Sequence, residues 1–215
     1  MAGPGAYNFG DEERKEVMDV LEHGHLSRYG NLDDPKFKHK VYSLEQEFAS
    51  LIDSRHAIAN SSGTGSLFIA LLALGLEEGD EVLAPGYTFV ASIGSIIYSR
   101  ATPVLVEIDE SLTMDPVDLE SKITEKTKAI MPVHMLGNPC NMDAIMDIAK
   151  RHNLFVIEDG CQAAGGSFRG KKLGTFGDIG AFSLNQHKNI AAGSGGIIVT
   201  NDDELYERAF AISDQ

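Results

Sequence analysis

The feature that most constrains this chain is a series of short apolar runs alternating with segments of helical length. EVLAP (81–85), LFVIED (154–159), GAFSL (180–184) and GGIIVT (195–200) are continuous rather than alternating. A strand that is apolar on both sides has to be covered on both sides. HAIAN (56–60), TPVLVEID (102–109) and KAIMPVH (128–134) read as further strands. Helices are expected over 64–75, Thr88–Arg100, Asp115–Ile123, Asp143–His152 and 204–212. Repeated βα units of this kind predict an α/β protein, a three-layer α/β/α domain around a mostly parallel sheet. In such a sheet ligands bind beyond the carboxyl ends of the strands. Two more helices precede it, over 11–22 and 38–52. The chain therefore divides into an N-terminal helical segment, 1–50, and a large ligand-binding domain, 51–215.

Charge narrows the partners. Eighteen Lys and Arg against 32 Asp and Glu give a net charge of −14. Nucleic acid and anionic membranes both need a positive surface, so neither is expected as a partner. No apolar stretch approaches the roughly 20 residues of a membrane span. The opening MAGPGAYNFGDEERKEV lacks the basic-then-apolar pattern of a signal peptide. Cys140 and Cys161 form no CxxC pair, which fits a reduced, cytoplasmic compartment.

Four strand ends carry unusual residues. After HAIAN comes Ser61-Ser62-Gly63-Thr64-Gly65, opening a helix. It reads either as a tight turn or as an anion cradle of free N–H groups. Gly86-Tyr87-Thr88-Phe89 follows EVLAP, and Phe89 is either core or a plate for a flat ligand. LFVIED ends in Glu158-Asp159, then Gly160-Cys161-Gln162. Asp159 is either a helix cap or a strand-tip acid with a partner. Lys188 stands between the apolar run 179–184 and the small residues 191–196. It is either a solvated loop lysine or an amine whose pKa is lowered by desolvation. A cradle, a plate, an acid and a lysine on one rim suit pyridoxal 5′-phosphate, which has a phosphate, a flat basic ring and an aldehyde. No metal is expected.

SSGTGSL (61–67), GDEVLAPGYTFVAS (79–92), PVHMLGNPCNMDAI (132–145), VIEDGCQAAGGSFRGKKLGTFGDIGAFS (156–183) and KNIAAGSGGIIVT (188–200) carry a closer identification. In order and spacing the chain resembles the DegT/DnrJ/EryC1/StrS sugar aminotransferases, fold type I pyridoxal-phosphate enzymes with the aspartate-aminotransferase-like fold. The resemblance implies that Lys188 forms the Schiff base and Asp159 pairs with the ring nitrogen. It implies that Gln162 bonds the ring hydroxyl and Phe89 stacks on the ring. The segment Gly63-Thr64-Gly65, through the Thr64 and Gly65 N–H groups, would hold the phosphate with Ser183. It further implies amino transfer, usually from glutamate, to a nucleotide-linked keto-sugar, and a homodimer with its active site at the subunit interface. Two positions depart from the family pattern. Ser194 replaces a glutamate in the loop after the lysine, and Gly65 replaces an alanine. Family members are roughly twice this long, so the C-terminal small domain is expected to be absent from this chain.

The alternatives are a sugar dehydratase on the same scaffold, a non-catalytic pyridoxal-phosphate protein, and one half of a split enzyme. Dehydratases of the family carry histidine at the lysine position, so Lys188 favours transfer. His187 is expected to be structural, because neighbours on an extended chain point opposite ways. His134 is expected near the cofactor, and Cys161 as a small buried residue.

Overall fold

The structure, a computed structural model, describes residues 4–214. After a 3₁₀ turn at Pro4–Asn8, the chain runs through α1 (Asp11–His23), α2 (Lys40–Ile52), β1 (His56–Asn60), α3 (Gly63–Ala73), β2 (Glu81–Pro85), α4 (Val90–Tyr98) and β3 (Thr102–Val106). There follow α5 (Pro116–Ser121), β4 (Thr127–Ile130), α6 (Met142–His152), β5 (Phe155–Asp159), β6 (Ser167–Phe168) and β7 (Lys171–Lys172). The last elements are β8 (Ile179–Ser183), β9 (Gly196–Thr200) and α7 (Asp203–Ser213). Seven strands form one sheet in the order β1-β9-β8-β5-β4-β2-β3. Every neighbouring pair is parallel except the two made by β9, which runs against β8 and β1.

Side-chain alternation along the strands sorts the core into two faces. On one face Ile58, Val82, Ala84, Ala129, Ile157, Ala181 and Ile198 pack under α3, α4 and α7. On the other, Leu83, Ile130 and Val156 pack under α5 and α6, while Ala57, Phe182, Ile197 and Val199 pack under α2 through Phe48, Ala49 and Ile52. The three-layer α/β/α arrangement read from the apolar runs is the one the chain adopts. Both faces are covered, as those runs require.

The boundaries differ in ways that matter at the rim. The strand expected over 128–134 ends at Ile130, because Pro132 has no N–H for the ladder. The helix expected from Thr88 begins at Val90, with Phe89 extended (φ −72°, ψ 141°) as its N-cap. FRGKKLG forms a β6–β7 hairpin with Arg169 and Gly170 in the left-handed region at its tip. No helix among the described residues is long and apolar enough to cross a membrane.

Candidate active site

Because β9 is antiparallel, the connection from β8 to β9 folds back over the carboxyl edge of the sheet. Leu184 N–H donates to Gly195 O (2.8 Å) and Gln186 N–H to Gly193 O (3.1 Å), so the pairing extends past both strands. Lys188 sits in this loop, half-buried. Its N–H donates to Asn185 O at 2.9 Å, and its own carbonyl accepts from Gly5 N–H at 2.9 Å. The N-terminal 3₁₀ turn therefore pins the lysine loop. Among the described residues no hydrogen bond or ion pair engages the Lys188 Nζ.

A cavity of about 640 Å³ opens on this rim. Its wall includes Gly63, Thr64, Phe89, Asp159, Gln162, Ser183 and Lys188. The candidates drawn from separate strand ends, Gly65 apart, thus share one space of the size ordinary small-molecule sites have.

The cradle is built by close approach. A side chain at Gly63 would place its Cβ 2.6 Å from Ser183 Cβ and 3.0 Å from Cys161 Sγ, so only glycine lets α3 begin against β8. Ser62 caps the helix by accepting the Gly65 N–H at 2.9 Å. Gly65 lies behind the wall and its N–H is already used, which revises the expectation that this N–H faces an anion. Among the described residues the free pair is Gly63 and Thr64, the first two helical residues, whose N–H groups have no carbonyl to bond. Ser183 Oγ lies opposite and accepts from Asn185 N–H at 3.3 Å, leaving its own proton available. Gly63→Ala is expected to lower stability by about 1–3 kcal/mol, the usual range for overpacking, in a thermal melt.

Asp159 is 4% exposed at the tip of β5. Ser92 Oγ donates to its Oδ2 at 2.7 Å, and the Cys161 N–H donates to its Oδ1 at 3.1 Å. Burial, and then the Asp159 charge beside it, pushes the Cys161 thiol up, while Lys188 pulls the other way. Cys161 is thus a neutral wall residue. Gln162 Oε1 accepts the Leu136 N–H at 3.0 Å, holding Leu136 in the left-handed region (φ 53°). Phe89 is 64% exposed, which removes the core reading of that residue.

Two histidines lie elsewhere than expected. His134 is fully buried and off the cavity, with its Nε2 3.0 Å from Glu158 Oε2 and its Nδ1 accepting the Cys140 N–H. Residue 158 faces the opposite side of the sheet from 159, and His134 follows it. His187 is exposed and lines the cavity mouth. Residues 186–187 form a turn rather than extended chain, so the rule of opposed neighbours does not apply there. Thr88, Ser92 and Asn185 support the site although no local pattern marks them.

Fold and rim together define an open α/β protein that gathers an amine, a buried acid, an exposed aromatic and a helix N-terminus around one cavity. The chain belongs to the DegT/DnrJ/EryC1/StrS aminotransferase family, whose model matches residues 8–215. It is 44% identical over 205 residues to a GDP-perosamine synthase of Escherichia coli O157:H7, covering 95% of this chain and 54% of that protein. An aminotransferase of Psychrobacter cryohalolentis superposes with a TM-score of 0.90 at 39% identity, over 96% of this chain and 51% of the other. E. coli GDP-4-keto-6-deoxy-D-mannose-3-dehydratase with bound hydrated PLP gives 0.88 at 30% identity, over 99% and 54%. The chain spans about half the length of the curated relatives it matches.

Proposed function

We propose that this chain forms the pyridoxal-phosphate-binding part of an aminotransferase that moves an amino group, from glutamate, to a nucleotide-linked keto-sugar. The observation that carries the reading is the juxtaposition of the Lys188 amine, unpaired among the described residues, with a buried carboxylate at Asp159 that accepts two hydrogen bonds, on one cavity. The donor set fits the cofactor. Free N–H groups of Gly63 and Thr64 and the Ser183 hydroxyl suit a phosphate. The Asp159 carboxyl group suits a ring nitrogen as hydrogen-bond partner, and Phe89 supplies an apolar face for a flat ring. When bound, pyridoxal phosphate supplies an aldehyde for the amino group and a ring that takes up negative charge next to it.

The residues then divide the work. Lys188 Nζ would hold the cofactor, and its amine would move the proton at the donor's Cα. Asp159 keeps a proton on the ring nitrogen by accepting its hydrogen bond. Gln162 has its Oε1 committed to Leu136, and its Nε2 donates to Met135 Sδ at 3.4 Å, so the second N–H of Nε2 would be the one to donate to the ring hydroxyl. Phe89 would cover the ring and exclude water from one side. Lys188 at this position supports transfer over dehydration.

We further infer a cytoplasmic homodimer. What supports the dimer is α4, which shows Val90, Ile97 and Tyr98 to solvent beside the cavity mouth. Titrating the chain with pyridoxal phosphate should raise a visible absorbance band. Added glutamate should discharge it, with one 2-oxoglutarate released per site, and a nucleotide-linked keto-sugar should restore it. A band that glutamate leaves untouched means binding without transfer, and the aminotransferase reading fails.

A further inference from the structure

Asp159 is not held by the β5 backbone alone. Ser92 is completely buried in the first turn of α4 and donates to Asp159 Oδ2 at 2.7 Å. Its oxygen also lies 2.7 Å from Thr88 Oγ1. The direction of this chain of hydroxyls follows from what each group can do. An ionised carboxylate only accepts, so the Ser92 proton goes to Asp159. Ser92 Oγ is then left to accept, and the Thr88 proton goes to Ser92. Thr88 reaches the cavity wall with its proton already used. The Cys161 N–H holds the other carboxylate oxygen at 3.1 Å. Two donors, one on each oxygen, fix the rotation of the carboxylate. The spacing is helical: Thr88 and Ser92 are four residues apart across the N-cap Phe89, and the Ser92 N–H donates to Phe89 O at 3.1 Å. The element that presents the aromatic plate therefore also orders the acid.

We propose that Ser92, itself ordered by Thr88, is a positioning residue that keeps Asp159 aimed into the cavity, and so sets how tightly the cofactor's ring nitrogen is held. This rests on the reading of the site as a pyridoxal-phosphate site with Asp159 facing that nitrogen. Nothing here touches the reacting atoms; Ser92 acts through Asp159.

The test separates the two ideas by ligand. Dissociation constants are measured for pyridoxal phosphate and for its 1-deaza analogue, which has carbon in place of the ring nitrogen. Wild type, Ser92→Ala, Ser92→Thr, Thr88→Val and Asp159→Asn are compared. Ser92→Ala is expected to weaken pyridoxal phosphate about tenfold, the effect of one hydrogen bond to a charged group, and to leave the analogue unchanged. Ser92→Thr keeps the hydroxyl and restores tight binding. Thr88→Val gives the same ligand-selective loss, smaller in size. It lies on the cavity wall rather than in the core, so it carries the comparison if Ser92→Ala does not fold. Equal weakening of both ligands by Ser92→Ala and Thr88→Val, or no weakening of either, overturns the proposal, because a merely structural hydroxyl does not distinguish nitrogen from carbon. If wild type and Asp159→Asn both bind the two ligands equally, the Asp159–nitrogen reading itself fails, and the proposal with it.

Discussion

Replacing Lys188 with alanine is expected to remove the visible band that pyridoxal phosphate raises and to stop glutamate turnover, while leaving the fold intact. Among the described residues Lys188 is the one lysine on the cavity wall and no arginine shares it, so no second amine of theirs stands ready to substitute. Its side chain is half-buried and makes no hydrogen bond or ion pair among the described residues, so its loss removes chemistry and little packing. Positioned proton transfer alone contributes about 10²–10⁴-fold, and the attachment of the cofactor adds to it, so the loss of turnover should be roughly 10³-fold or more. Lys188→Arg separates the two properties of the side chain: it keeps the charge and discards the usable amine. It should resemble the alanine variant. Borohydride reduction of the loaded wild type, followed by peptide mapping, should place the label on the peptide containing Lys188. A label on any other peptide, or a band of wild-type strength in Lys188→Ala, refutes the assignment.

Much of this arrangement can be read before any coordinates, and the residues show why. Continuous apolar runs such as GGIIVT have few alternatives to a strand covered on both faces. Gly and Pro mark the ends of several such runs. Pro85 ends β2, and Gly63 opens α3. The candidates at the strand ends were legible because an open parallel sheet brings its carboxyl ends to one edge whatever lies between. Their individual roles came instead from resemblance to a family.

What stayed hidden depends on orientation and on contacts distant in sequence. LFVIED presents Glu158 and Asp159 as adjacent acids, and only the pleat shows that they serve opposite faces. Ser92 sits 67 residues from Asp159, and no local pattern announces that they bond. Gly5 reaches the Lys188 carbonyl across most of the chain. The rule of opposed neighbours failed for His187 because the backbone there turns.

Glu158 shows how much the hidden part matters, because its loss should be the most damaging to stability. Its carboxylate is completely buried. Oε1 accepts from the Phe176 N–H at 2.5 Å and the Gly177 N–H at 2.8 Å. Oε2 accepts from the Gly174 N–H at 2.8 Å and lies 3.0 Å from His134 Nε2. The His134 tautomer follows from its other nitrogen: Nδ1 accepts the Cys140 N–H at 3.2 Å, which puts the ring proton on Nε2, facing the carboxylate. Backbone N–H groups from the turn before β8 thus converge on one side chain, and no buried side-chain N or O among the described residues lacks a partner. Glu158→Gln keeps the shape but turns one acceptor into a donor. That donor then faces N–H groups with nothing to accept them, in a place water does not reach. Removing one member of a buried charged network costs about 3–5 kcal/mol. At about 2–4 °C per kcal/mol for a chain of this size, the melting temperature should fall by roughly 6–20 °C. Amide exchange should quicken at residues 174–177 ahead of the rest of the sheet. Glu120→Gln is the matched control, since Glu120 pairs with Arg151 and His152 in the open, and it should melt with wild type. If Glu158→Gln melts with that control, the backbone of 174–177 holds itself, and the buried carboxylate is a passenger rather than the clasp that sets β8 and the lysine loop beyond it.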